Sequence, residues 1–263
     1  MLRCYNRQKA AREKIKNIYK NIDNIFIVHY SCESFYNIEN GRTPRITSIA
    51  VKYLNSENDV SFSIHKIAEI ENISDISKNY DVIEKKMLDE FYNFIQKHEN
   101  YFWVHWNMKN INYGFEAIAH RYRVLGGNPV HINNEKKINL AQLLYDIYGP
   151  QYIDKPRLYN IIALNNINEI DLLNGEEEAK AFTMHDFVKL HRSTLKKVDA
   201  IYNLLDLTYL NKLKTKASFL DKNGGILMII PHLIQENPFI STFITLSGWI
   251  LAIISWLSSQ SHR

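Results

Sequence analysis

The order of apolar patterning along the chain is what most constrains its fold. Three short β-prone runs come first, at residues 25–28 (IFIV), 45–54 (RITSIAVKYL) and 60–65 (VSFSIH). Asn40-Gly41 and Pro44 supply turn chemistry between the first two. A helix-spaced stretch follows at 81–98, where Val82, Ile83, Met87, Leu88, Phe91, Phe94 and Ile95 recur along one face. Residues 102–105 (FWVH) predict a fourth strand, and 111–125 a helix stopped by Gly126-Gly127. Residues 139–148 and 156–164 predict two more helices, and 176–210 one long helical region or two. Three consecutive strands followed by alternating helices and strands imply an α/β domain. Its mixed sheet joins an antiparallel three-strand meander to parallel strands and is flanked by helices.

Composition narrows the partners. With 46% hydrophobic residues among 263, the chain can bury a full core in one domain of about 200 residues and still has sequence left over. Cys4 and Cys32 are the only cysteines and lie far apart, which excludes a disulfide framework or a zinc cluster and suits a reducing compartment. The net charge of +4 is mild. Most of the local excess falls in residues 1–22, a predicted basic helix in which Arg3, Arg7, Lys9, Arg12, Lys14, Lys16 and Lys20 face Glu13 alone. A solvated helix face accounts for that run, and contact with phosphate or an anionic membrane surface is the functional alternative. The first residues lack an apolar h-region, so no secretory signal is expected. No P-loop, dinucleotide fingerprint or GxSxG elbow is present.

The C-terminal end predicts a membrane anchor. No charged residue occurs from Asn237 to Gln260, and residues 238–257 (PFISTFITLSGWILAIISWL) match the length of a spanning helix. Trp249 and Trp256 lie in its second half. Lys212, Lys214, Lys216 and Lys222 precede it, which by the positive-inside rule faces the folded domain, residues 23–220, to the cytoplasm. The expected layout is a linker or interfacial segment at 221–236 and a single-pass transmembrane helix at 237–258.

Four local segments carry the functional signal. The first predicted strand runs into His29-Tyr30-Ser31-Cys32-Glu33, and the FWVH strand is followed by Asn107, Asn112 and Phe115. Then come 139–144 (NLAQLL) with 155–158 (KPRL), and finally 190–199 (LHRSTLKKVD). In this order the segments resemble the DEDD superfamily of 3′→5′ exonucleases over residues 24–210, with oligoribonuclease-like spacing in the second motif. The resemblance implies an RNase H-like fold. It also implies two divalent cations, Mg²⁺ or Mn²⁺, about 4 Å apart, which activate water and stabilise the leaving oxygen.

Most of the carboxylates that the resemblance requires are replaced. Glu33 matches the glutamate of the first motif, while Ser31 stands where its aspartate belongs. Asn112 stands at the aspartate of the second motif; an amide oxygen reaches a hard cation only weakly and without charge. The last motif of the superfamily pairs a water-orienting histidine or tyrosine with a metal-binding aspartate. Aligned on its leucine, Lys197 falls at that aspartate; a shifted register puts Asp199 there, with His191 two helical turns before it.

Three functions follow. A degenerate domain would keep Ser31 and Lys197 as a pseudo-site, the ammonium filling the vacated metal position and pairing with Glu33. Its cleft would bind single-stranded nucleic acid or a nucleotide through His29, Trp106, Asn107, Tyr113 and Arg192, with the rings stacking on bases. An atypical active exonuclease would use Glu33, Asn112, His191 and Asp199, with Glu33 and Asp199 on Mg²⁺ or Mn²⁺. A protein-interaction or defence-sensing module at the membrane would use none of these groups. The bland alternatives are Trp106 and Tyr113 as core-edge packing, Glu33 as a turn carboxylate and Lys197 as an exposed helix lysine.

Overall fold

The computed structural model describes residues 2–34, 43–56 and 58–218, together with Asp221 and Thr242. Ile25–Cys32 forms β1, Ile46–Tyr53 β2 and Asp59–Ser63 β3. β1 pairs antiparallel with β2, from Phe26↔Tyr53 to Ser31↔Ser48, and β2 pairs antiparallel with β3. Phe102–His105 forms β4, parallel to β1, and Lys137–Asn139 forms β5, parallel to β4. The sheet order is β3-β2-β1-β4-β5. The α/β class and the mixed sheet are therefore as expected, and the run IFIV lies at the centre, where helices cover both faces.

Eight helices flank the sheet among the described residues: α1 (Leu2–Lys20), α2 (Ile64–Ile70), α3 (Tyr80–Lys97), α4 (Phe115–Val124), α5 (Leu140–Tyr148), α6 (Arg157–Leu164), α7 (Gly175–Thr183) and α8 (Phe187–Tyr209). Strand alternation on β1 divides the core in two. Phe26, Val28 and Tyr30 pack with Ile83, Met87 and Leu88 of α3 and Ile118 of α4. Ile25 and Ile27 pack on the opposite face with Ile15 of α1, Leu144 of α5 and Ile201 of α8. Helix α1 thus buries Ala11, Ile15 and Ile18 and leaves Arg7, Lys9, Lys14, Lys16 and Lys20 exposed. Ser48 and Ala50 of β2 are fully buried, and their small side chains let α8 lie close against the sheet.

Several boundaries differ from the sequence expectation for local reasons. The helix expected from residue 111 begins at Phe115, because a Lys109↔Gly114 bridge closes the preceding turn. The helical region 176–210 is two helices, broken where His185 adopts φ 57° and Asp186 caps α8 by accepting the Lys189 N–H at 3.1 Å. Strand β5, with three residues, is too short to show a period, and α2 takes the end of the run expected to be strand.

The expected transmembrane anchor is corrected. Among the described residues no helix is long and apolar enough to cross a membrane. The segment 237–258, apart from Thr242, lies outside the described residues, as does 222–236 of the expected linker and the Asn40-Gly41 turn. In the sequence, Ser241, Thr242, Thr245, Ser247 and Gly248 dilute that segment's apolarity. The membrane localisation inferred from the anchor is corrected with it, since no helix among the described residues is long and apolar enough to span.

Candidate functional site

The carboxyl end of β1 opens onto a cleft of ≈ 900 Å³. Its floor is the end of β1, with Ser31, Cys32 and Glu33; Tyr113 and Tyr159 form walls, and α7 forms the rim. The position follows from topology, since open α/β sheets present their ligand crevice at strand carboxyl ends.

A buried polar network occupies the inner end. Lys197 of α8 sits with its side chain 3% exposed, and its Nζ lies 2.7 Å from Glu178 Oε1 of α7. Ser31 Oγ donates to the same oxygen at 2.8 Å, and Ser193 Oγ does so at 3.3 Å. Thr194 Oγ1 lies 2.9 Å from Ser31 Oγ. Ser31, Ser193 and Thr194 are themselves buried. One oxygen of a half-buried carboxylate thus receives an ammonium and two hydroxyls, which offset part of the hydration it loses.

Beside this network stand His29 and Tyr113. Tyr113 stacks on Tyr30 with ring centroids 4.6 Å apart. Its hydroxyl donates to the Tyr30 carbonyl at 3.2 Å and lies 3.4 Å from His29 Nε2. His29 Nδ1 is buried without a hydrogen-bond partner among the described residues. Burial, reinforced by the charges of Lys197 and His105, holds the ring's pKa well below the ordinary histidine value. Burial also pushes the Cys32 thiol up, with Glu178 and Glu33 adding to the effect, so Cys32 is a poor nucleophile.

The sequence-predicted residues separate into two groups. Ser31, Glu33, Tyr113 and Lys197 meet at the cleft, with His29 behind them. Lys197 takes Glu178 as its partner where Glu33 was expected. Glu33 instead accepts the Arg45 backbone N–H at 3.3 Å and donates its own N–H to the Arg45 carbonyl at 2.8 Å.

The remaining residues lie elsewhere. Asp199 pairs with Lys52 at 3.0 Å, and Lys52 also holds Asp59, so the shifted register does not bring a carboxylate to the cleft. His191 is buried over β2 and β3, 2.9 Å from Ser48 Oγ and 3.3 Å from Ser61 Oγ. Burial lowers its pKa to about 4, with Lys66 and His65 contributing. Asn112 is exposed in the turn before α4, and Asn107 is exposed and paired with Asn139. Trp106 is buried in the core on the α5 side, and Arg192 points outward from α8. His105 is buried and accepts the Met108 N–H through Nδ1 at 3.0 Å. Arg121 of α4 is buried against Glu84 and Asp81.

Glu178 is the cleft residue that sequence reasoning missed. Its signal was faint: one of three consecutive glutamates in a helix N-terminal turn, where acidic residues are ordinary. Glu176, Glu177 and Glu169 also line the cleft, so its lining carries five carboxylates with Glu33 and Glu178, against the one internally paired lysine.

The residues present do not fit a two-metal centre. Of the four carboxylate positions that the resemblance implies, Ser31, Asn112 and Lys197 bring no negative charge, and the Lys197 ammonium beside Ser31 adds a positive one. Among the described residues no group of three His, Cys, Asp or Glu side chains is placed to hold a metal ion. No protein-family model matches the chain, and no curated protein matches it.

Proposed function

We propose that this chain is an exonuclease-like domain that has exchanged its metal centre for an internal ion pair, and that it binds a nucleotide or a short single strand without cutting it. The observation that carries this reading is the buried Lys197 ammonium, 2.7 Å from Glu178 Oε1, the same oxygen that accepts the Ser31 hydroxyl. Two divalent cations require converging negative charge, and a lysine there supplies the opposite sign.

Two further observations support it. The mixed sheet of order β3-β2-β1-β4-β5, with only β2 antiparallel to its neighbours, is consistent with an RNase H-like fold. The cleft is large enough for a nucleotide, and the rings of Tyr113 and Tyr159 offer faces for stacking on a base. Catalysis through Glu33, Asn112, His191 and Asp199 gains no such support, because these four do not converge.

The test uses the full chain and its Glu33→Gln variant with 5′-labelled single-stranded RNA and DNA in Mg²⁺ or Mn²⁺. Retardation of the oligonucleotide without shortening is the expected result. A ladder shortening from the 3′ end in the parent and absent in the variant would sink the proposal. Neither shortening nor retardation would remove its binding half and favour a protein partner.

A further inference from the structure

We propose that the Glu178 carboxylate fills a built anion site and that a phosphate monoester displaces it. The site belongs to the sheet and to α8, whereas the group that fills it belongs to α7. Lys197 Nζ, Ser31 Oγ and Ser193 Oγ converge on Glu178 Oε1 at 2.7, 2.8 and 3.3 Å. All three donors are buried, and none of them is carried by α7. An ammonium and two hydroxyls around one oxygen recognise a phosphoryl oxygen as well as a carboxylate.

Helix α7 is the separable part. Ala181 is buried and Phe182 packs beside Tyr80 and Phe187 at its far end, whereas Glu178 is the side chain that ties its first turn to the network. It is bounded by residues in the left-handed region, Asp171 at φ 66° on the near side and His185 at φ 57° on the far side. Its first turn carries Glu176, Glu177 and Glu178, three of the five carboxylates lining the cleft. Release of Glu178 therefore does two things at once. It frees a buried ammonium that must find another anion, and it carries away the charges that repel a phosphate. In the resting structure the cleft is acidic and closed to phosphate; with α7 displaced, its inner end is cationic.

This deepens the binding function above and rests on it for the nucleotide, but not for the anion site. The first measurement is calorimetric titration of the full chain, its Glu178→Gln variant and its Lys197→Met variant with inorganic phosphate, then 5′-AMP, then adenosine. Glu178→Gln is expected to bind phosphate at least tenfold more tightly than the parent, and Lys197→Met to lose that binding. Equal phosphate affinity in the parent and Glu178→Gln, or binding that survives Lys197→Met, would overturn the proposal. Tighter binding of 5′-AMP than of phosphate assigns the ester to a nucleotide; equal affinity leaves the anion site standing and removes the nucleotide. Should Glu178→Gln not fold, amide hydrogen exchange on the parent decides the matter. Saturating phosphate should speed exchange across residues 175–183, and unchanged or slower exchange there would contradict displacement. Failure here leaves the absence of metal-dependent cleavage untouched, because that is read by a different assay.

Discussion

Lys197 Nζ lies 2.7 Å from Glu178 Oε1, yet the two side chains are unequally placed, the lysine 3% exposed and the glutamate 17%. The asymmetry sets how the pair fails. Removing the glutamate leaves a largely buried ammonium without its carboxylate partner, at a cost of about 3–5 kcal/mol. Removing the lysine leaves a carboxylate that can turn toward the cleft. Glu178→Ala should therefore destabilise more than Lys197→Met, with the latter costing under about 2 kcal/mol. Urea unfolding of both variants measures the difference, and the reverse order would mean that another group neutralises Lys197.

Asp199 offers a contrasting case. Its partner Lys52 keeps a second carboxylate, Asp59, also at 3.0 Å. Asp199→Asn should cost no more than about 1 kcal/mol, because the pair is partly exposed and the lysine stays compensated. It should leave oligonucleotide retardation unchanged. A loss of binding with intact folding would return Asp199 to the functional site.

These two residues show how far the sequence could be read. The apolar spacing Val198, Ile201, Leu204, Leu205 fixes the buried face of α8, and continuing it backward places Thr194 and Lys197 on that face and Asp199 beside it. The choice of register was thus decidable from helical periodicity, which outweighs a motif alignment. The central strands were equally legible, since IFIV and FWVH are too short and too β-branched or aromatic to be helices. Glu178 was not, because three adjacent glutamates look alike until tertiary packing selects one. Trp106 misled for a related reason: at a strand end one residue decides which face a ring takes, and here it joins the core beside α5.

The buried histidines predict the acid limb of stability. His105, lowered to about 3, and His191, lowered to about 4, stay neutral in the folded chain mainly through burial, while an unfolded histidine titrates near 6.5. His29 is lowered in the same sense. Below pH 6.5 the unfolded chain therefore binds protons that the folded chain refuses, so stability present above 6.5 is lost as pH falls toward 4 and below. The full contribution of His191 is on the order of 3 kcal/mol. Unfolding free energies measured from pH 7 to 4.5 should fall steadily, and His191→Gln should flatten part of that slope. A parallel slope in the variant would mean that His191 protonates without unfolding.

Gly114 fixes the turn that delivers Tyr113 to the cleft. Its φ of 149° is disfavoured for side chains, and a Cβ there would stand 2.5 Å from the Met108 carbonyl carbon and oxygen. Its N–H also donates to the Tyr30 hydroxyl at 3.0 Å, tying the turn to the stacked tyrosines. Gly114→Ala should destabilise the fold by at least about 1–3 kcal/mol, and the strain should displace Tyr113. The check is a lowered Tm together with weaker oligonucleotide retardation at a temperature where the variant is folded. Unchanged retardation would mean that the Tyr113 ring is not part of the binding surface.

If the ion pair stands where an ancestral cation site stood, restoring charge should restore metal affinity. Ser31→Asp with Lys197→Asp removes the ammonium and sets two carboxylates beside Glu178, with Glu33 at the same end of β1. Without metal these like charges repel in a partly buried site, so the double variant should melt below the parent. With Mn²⁺ the repulsion becomes coordination, and the Tm should rise with metal concentration as for any ligand that binds only the folded state. The parent, whose own lysine occupies the site, should show no such rise. A double variant that folds but ignores Mn²⁺ would mean that these side chains do not converge as metal ligands, which would weaken the exonuclease-like reading while leaving the Lys197–Glu178 contact as a structural feature in its own right.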